Sequence, residues 1–114
     1  VYRWDNGQVI PGTEGIEPGP GVQLDHRALG YAALNGKNLT GANFELSNLT
    51  RASLSDSTLT NADLSAADLT NARLSFSTLT NSNLTGAVVT GRASRIPRRL
   101  ASPRHSSRPP PVSR

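Results

Sequence analysis

Residues 62–81 read ADLSA ADLTN ARLSF STLTN, with a leucine at the third place of every five-residue unit. The same place holds leucine or phenylalanine in each unit from Leu34 to Leu84, and Val89 follows in step. Five residues advance an α-helix by about 500°, which would scatter the leucines around its surface. A straight strand fails as well, because odd spacing sends successive leucines to opposite faces. The chain must therefore turn within each unit.

The other positions of the unit indicate a short strand followed by a corner. A small residue, usually Ala or Ser, stands two places before the leucine, so that both side chains share one face of a strand. The residue between them points outward and is commonly polar, as at Asn43, Asp63 and Asn83. Ser or Thr usually follows the leucine, and then Gly, Asn, Asp or Ala, which suit tight turns.

Units such as residues 42–46, 62–66 and 67–71 resemble the pentapeptide-repeat family, and the resemblance covers residues 24–89. It implies an all-β fold, a right-handed parallel β-helix in which four units make one coil of a four-sided solenoid. Residues twenty apart would then stack at about 4.8 Å, giving about three and a half coils. The predicted inward ladders are Leu34 with Leu54 and Leu74, Leu39 with Leu59 and Leu79, Phe44 with Leu64 and Leu84, and Leu49 with Leu69 and Val89.

Lys37 departs from the pattern. It occupies a small inward position of the first full coil, where a buried ammonium group would be costly. We therefore expect an irregular or open coil at this point.

Residues 1–21 are predicted to form a capping and loop segment, with a turn at Asn6-Gly7. An uncovered solenoid end exposes leucines and unpaired backbone, so this segment should cover it. The predicted N-terminal cap residues are Tyr2 and Trp4, with Val9 and Ile10. An aromatic ligand patch is the alternative reading of Tyr2 and Trp4. Residues 2–13 also resemble the lead-in of some exported bacterial pentapeptide-repeat proteins, which favours a secreted or cell-envelope location.

Residues 92–114 differ in composition from the predicted β-helix of residues 22–91. They hold seven arginines, five prolines and no acidic residue, which predicts a disordered tail. The tail carries +7 and residues 1–91 carry −3, which gives the net charge of +4. The tail is a solvated segment, the product of a shifted reading frame, or an arm for anionic surfaces or nucleic acid. The first two readings are favoured, so nucleic-acid binding is not expected.

The sequence contains no catalytic constellation. There is no cysteine, His26 and His105 lie far apart in the chain, and Asp63 and Asp68 occupy outward positions of adjacent units. We therefore expect no enzyme, cofactor, metal site or small-molecule substrate. No apolar run reaches the length of a transmembrane helix.

The function expected from these features is a non-catalytic structural or protein-interaction scaffold with an unidentified protein partner. Self-association is predicted through the C-terminal coil, at Leu74, Leu79, Leu84 and Val89. Two alternatives are weaker. A DNA-mimicking protein that acts on gyrase would need rows of carboxylates, whereas residues 22–91 hold five acids and four bases. An ice- or surface-binding array would use the threonines around Leu59 and Leu79.

Overall fold

A computed structural model of the chain describes residues 1–94, in which short parallel β-bridges stack one above another. Each bridge joins residues twenty positions apart. The pairs are Gln23–Asn43, Ala28–Asn48, Ala33–Ser53, Asn38–Thr58, Asn43–Asp63, Asn48–Asp68, Ser53–Arg73, Thr58–Thr78, Asp63–Asn83 and Asp68–Val88. The chain is therefore a parallel β-helix in which each bridge lies directly above the one formed twenty residues earlier.

A narrow apolar core runs through the stack. The third residue of each unit points inward, and the side chains are fully buried from Leu24 to Leu69 and 2% exposed at Leu74 and Leu79. Fully buried members of the predicted ladders are Leu34, Leu39, Phe44, Leu49, Leu54, Leu59, Leu64 and Leu69. Leu84 and Val89, the last residues of their ladders, are only half-buried, and they pack against the core.

The central ladder residue Leu54 shows how each coil is held to the next. Its N–H donates to the carbonyl of Arg73 at 2.8 Å, and the N–H of Leu34 donates to the carbonyl of Ser53 at 2.9 Å. Successive backbone bonds thus bring Leu34, Leu54 and Leu74 into one column. Two further columns begin one coil nearer the N-terminus. Leu24 lies below Phe44, and Leu29 lies below Leu49.

Small residues fill the space between the leucines. Where the small residue is serine, its buried hydroxyl donates to the carbonyl three residues earlier, as from Ser47 to Phe44 at 2.7 Å and from Ser82 to Leu79 at 2.8 Å. This bond satisfies a hydroxyl that would otherwise be buried without a partner. Serine therefore substitutes for alanine at no loss of packing.

The corners are tight turns with one residue in the left-handed region. In a typical turn the N–H of Ala62 donates to the carbonyl of Leu59 at 3.0 Å, and Asn61 between them has a φ of 62°. This geometry is that of a type II turn, which normally favours Gly or Asn. The non-glycine residues at such corners have φ values of 55–64° and are His26, Tyr31, Leu46, Arg51, Asp56, Asn61, Ala66, Asn71, Phe76 and Asn81.

The irregularity at Lys37 is local. The Lys37 side chain is exposed, and the turn from Leu34 lacks the backbone bond that closes most other corners. The Lys37 carbonyl still accepts from the N–H of Thr58 at 2.9 Å, so the coils stay paired. Arg27 occupies the same position two units earlier, and its guanidinium donates to the carbonyl of Gly12 at 2.9 Å.

The N-terminal segment forms a hairpin in which Tyr2 pairs with Val9 and Arg3 pairs with Ala32, both antiparallel. The residues that cover the core agree with the prediction at Ile10 and differ from it at Tyr2, Trp4 and Val9. Val1, Ile10 and Thr13 are buried, whereas Tyr2, Trp4 and Val9 are 59%, 42% and 38% exposed. The reason is the alternation of side chains along a strand, which places Tyr2 and Trp4 on the face opposite to Val1.

The C-terminal end is a short 3-10 helix, Gly91–Ser94. Its Ala93 is fully buried, and the N–H of Arg92 donates to Oδ1 of Asn71 at 3.2 Å. The fold therefore extends three residues past the predicted boundary at Arg92. Residues 95–114, the rest of the predicted tail, lie outside the described residues. Between residues 1 and 94 no helix is both long and apolar enough to cross a membrane.

Candidate functional site

The last turn of the stack described by residues 1–94 comprises residues 72–90, and we call it the C-terminal coil. In earlier coils the N–H groups of the leucines and corner residues donate to the next coil, as from Leu59 to Thr78 at 2.7 Å. Within residues 1–94 the corresponding amides of the C-terminal coil have no backbone acceptor. They belong to Leu74, Phe76, Leu79, Asn81, Leu84 and Gly86. Such a row of unpaired amides is a template for pairing with another chain.

The most exposed apolar side chains of this coil are a corner residue and a bridge residue, and neither belongs to the predicted ladders. Phe76 is 85% exposed at a φ of 59°, and Val88 is 45% exposed. Leu74 and Leu79, which the sequence predicted at the exposed end, have buried side chains, and Leu84 and Val89 are half-buried. The sequence did contain a sign that Phe76 is exposed. It is a bulky residue at the corner position, where the repeat favours Gly, Asn, Asp or Ala.

The polar outward columns stabilise the turns that follow them. Oδ1 of Asn43 accepts from the N–H of Glu45, and Oδ1 of Asp63 accepts from the N–H of Ser65, both at 3.0 Å. The stacked amides also bond along the column, with Asn43 donating to Oε1 of Gln23 at 3.1 Å. Asp63 and Asp68 lie in separate bridge columns, so their carboxylates do not form a pair. These side chains have structural roles.

Asp68 is bound to its own turn by two hydrogen bonds. Its Oδ1 accepts from the hydroxyl of Thr70 at 2.6 Å and from the N–H of Thr70 at 3.0 Å. Both bonds favour the ionised carboxylate and hold the pKa of Asp68 below its ordinary value.

The stability of the fold should therefore depend on Asp68 at acid pH. Because the folded pKa lies below the unfolded one, the stabilisation is complete above about pH 4 and is lost as pH falls through the folded pKa. Asp68→Asn keeps an acceptor oxygen without titrating, so urea unfolding should show a smaller loss of stability between about pH 5 and pH 2. Asp56→Asn is the control, since the Asp56 carboxylate makes no hydrogen bond within residues 1–94. Equal pH profiles for both variants would contradict this role.

Two further pairs of titratable side chains lie at the surface of residues 1–94. Arg3 binds Asp5 through two hydrogen bonds of 2.8 and 2.6 Å, which lower the pKa of Asp5. His26 lies 3.1 Å from Asp25 and lowers the pKa of that carboxyl group. Among residues 1–94, no three His, Asp or Glu side chains come together in a way that could hold a metal ion.

The stacked bridges, the leucine core and the repeated turn define a β-solenoid repeat protein. The family model for pentapeptide repeats matches residues 28–59 and 47–86, with eight copies of the repeat. The chain belongs to the pentapeptide-repeat family, and its β-helix is right-handed. No curated protein matches the sequence.

Three solved structures of pentapeptide repeat proteins are similar to this chain. One is from the thylakoid lumen of Arabidopsis thaliana, with 29% identity, a TM-score of 0.41, and coverage of 61% of this chain and 59% of that one. HetL of the cyanobacterium Nostoc, involved in heterocyst differentiation regulation, has 34% identity, a TM-score of 0.39 and coverage of 60% and 35%. A protein from the cyanobacterium Cyanothece has 33% identity, a TM-score of 0.29 and coverage of 60% and 44%. The chain thus spans less than two thirds of each.

Proposed function

We propose that the protein is a non-catalytic interaction scaffold that associates with a second copy of itself through the C-terminal coil. The observation that carries this proposal is Phe76, which is 85% exposed beside a row of backbone amides without acceptors in residues 1–94. An exposed aromatic side chain on a rigid backbone is the kind of anchor that dominates protein interfaces.

A second copy suits this edge because a β-edge offers both donors and acceptors. Two identical edges related by a twofold axis can satisfy each other, with the same residues on both sides. Phe76 lies at a corner of the coil, so it would pack across the axis against its counterpart or against the half-buried Leu84. This pairing would cover the apolar surface at Phe76 and Val88.

The geometry behind the proposal is a four-sided coil. The bridges repeat at twenty residues, which equals four of the five-residue units. Residues 24–89 then make about three and a half coils, each a few ångströms high, at the spacing of paired strands. The C-terminal coil would present a flat end with Phe76 at one of its corners.

Charge makes the association dependent on salt. Residues 72–94 contain Arg73 and Arg92 and no acidic residue, so two facing ends repel each other. Salt screens this repulsion over a distance of about 10 Å at 0.1 M. The dimer should therefore become tighter as ionic strength rises.

Sedimentation of the full chain over a range of concentrations tests the proposal. We expect a concentration-dependent dimer, and we expect Phe76→Asn to weaken it by at least about tenfold, the effect of losing an interface anchor. Asn is suited to a corner with positive φ, so the fold should be retained. Leu46→Asn is the matched control, because Leu46 is a 50% exposed corner residue of an interior coil. A strictly monomeric wild type, or equal effects of both variants, would contradict the proposal.

No observation favours the two alternatives of gyrase mimicry and ice binding over this proposal. The carboxylates of Asp63 and Asp68 accept hydrogen bonds within their own turns, and the bridged threonine pair Thr58–Thr78 forms a short column above Asn38. A secreted or cell-envelope location remains part of the proposal, supported by the resemblance of residues 2–13 to exported relatives.

A further inference from the structure

A cleft lined by arginines lies where the N-terminal hairpin meets the C-terminal end of the stack. Its main cavity, of about 300 Å³, is lined by Trp4, Arg51, Asn71, Arg73 and Arg92. A second cavity of about 250 Å³ shares Arg73 and Arg92 and adds Ser55, Leu74 and Ser75. Because the two cavities have two arginines in common, they adjoin and form one site, which we call the arginine cleft.

Hydrogen bonds and stacking fix the walls of the arginine cleft. The indole N–H of Trp4 donates to the carbonyl of Arg51 at 2.7 Å, and the Arg73 guanidinium lies 5.0 Å from the centre of the Trp4 ring. On the other wall, the backbone of Arg92 is bound to the Asn71 side chain at 3.2 Å. Three distant segments of the chain therefore bring their arginines to one place.

No carboxylate side chain balances the positive charge of the cleft. All eight acidic side chains of the protein lie within residues 1–94, and the ion pairs in that part of the chain are Arg3–Asp5 and His26–Asp25. Arg51, Arg73 and Arg92 therefore have no carboxylate side-chain partner. Three guanidinium groups around one cavity repel one another, and a bound anion would offset this repulsion.

We propose that the arginine cleft binds a small phosphate-bearing anion, with a diphosphate group as the recognised part. Guanidinium groups bind phosphate oxygens through paired hydrogen bonds, and three of them match several negative charges better than one carboxylate. The Asn71 amide and the hydroxyls of Ser55 and Ser75 provide further donors along the same wall. The size of the cavities suits a small ligand.

Trp4 has a positioning role in this site. One side of its ring is covered by Arg73, and Tyr31 lies against it at a centroid distance of 5.6 Å and an angle of 53°. A planar ligand could therefore stack on that face only by displacing Arg73. The aromatic residues hold the arginines, and the arginines bind the ligand.

Titration of the full chain with inorganic pyrophosphate tests the proposal, by calorimetry and by fluorescence. Trp4 is the only tryptophan, so a change in its emission reports binding in the cleft. We expect one saturable site, and we expect Arg51→Gln and Arg92→Gln each to reduce the affinity by at least about tenfold, the effect of losing a charged hydrogen bond. Both side chains are exposed, so the fold should be unaffected.

Two variants with the same loss of charge serve as controls. Lys37→Gln removes an exposed cation from another part of the stack, and Arg104→Gln removes one positive charge that lies outside the described residues. Both should bind pyrophosphate within about twofold of the wild type. Equal weakening by all four variants, or no change in Trp4 emission at saturation, would overturn the proposal. Tighter binding of a DNA oligonucleotide than of pyrophosphate, with the same sensitivity to Arg51 and Arg92, would also overturn it and assign the cleft to nucleic acid.

Discussion

Phe44→Ala is expected to lower the free energy of unfolding by about 3–5 kcal/mol. Phe44 is fully buried in the ladder formed with Leu24, Leu64 and Leu84, so alanine would leave a cavity between coils that are already paired through their backbones. A chain of this size has a total stability of about 5–15 kcal/mol. The substitution should therefore remove a large part of the total stability and leave the fold close to unfolding.

The other phenylalanine of the chain is the matched control. Phe76 is 85% exposed, so Phe76→Ala should change the stability by less than about 0.5 kcal/mol when measured at low concentration, where the protein is monomeric. Phe44→Leu should fall between the two, at less than about 1.5 kcal/mol, because leucine is the ladder residue on both sides. Urea unfolding followed by circular dichroism measures all three. Any other order of the three variants would count against a core built from these ladders.

The sequence predicts the core well because the leucine position repeats without interruption. A period of five excludes the α-helix and the straight strand, and the buried residues from Leu34 through Leu54 to Leu79 follow directly from it. The twenty-residue stacking came from the resemblance to a known family, and the bridges from Gln23–Asn43 to Asp68–Val88 have that spacing. Amino-acid composition alone would not have predicted a stacking distance of twenty residues along the chain.

The sequence predicts the corners less well, because the corner residue is constrained by its backbone and not by its side chain. Leu46 and Phe76 adopt positive φ as Asn61 does, since the N–H of the residue after each corner closes the same turn. These side chains are hydrophobic, yet the backbone of the corner places them outside the core. Only their position within the repeat, next to a small residue, indicated the exposed location.

The candidate sites depend on contacts between distant segments, which no local pattern encodes. The repeat places Arg51 and Asn71 twenty residues apart at stacked corners, with Arg92 beside the next corner. Nothing in the spacing brings Trp4 to this column, because its position depends on the N-terminal hairpin. Ala93 is a similar case. The repeat predicts a small residue at position 92, but the 3-10 turn moves the buried position by one residue, so that Ala93 enters the core.

The second large effect is expected at the N-terminal cap, where the structure buries Val1 and Ile10 and the sequence predicted Ile10 together with Tyr2, Trp4 and Val9. Val1 and Ile10 are 5% and 4% exposed and belong to the core, whereas Tyr2 and Trp4 lie on the outer face of the hairpin. The double variant Val1→Ala/Ile10→Ala should therefore lower the free energy of unfolding by about 3–6 kcal/mol, the cost of two truncated core side chains.

The double variant Tyr2→Ala/Trp4→Ala is the matched comparison, with the same number of substitutions in the same hairpin. It removes the hydrogen bond from Trp4 to Arg51 and the contact with Arg73, so a loss of about 1–2 kcal/mol is expected. Hydrogen exchange of the Leu24 and Leu29 amides would locate the effect, since their protection should fall strongly only when Val1 and Ile10 are changed. Truncating exposed side chains should not uncover the end of the core. A larger loss of stability for Tyr2→Ala/Trp4→Ala than for Val1→Ala/Ile10→Ala would therefore contradict the buried cap and assign the capping role to Tyr2 and Trp4.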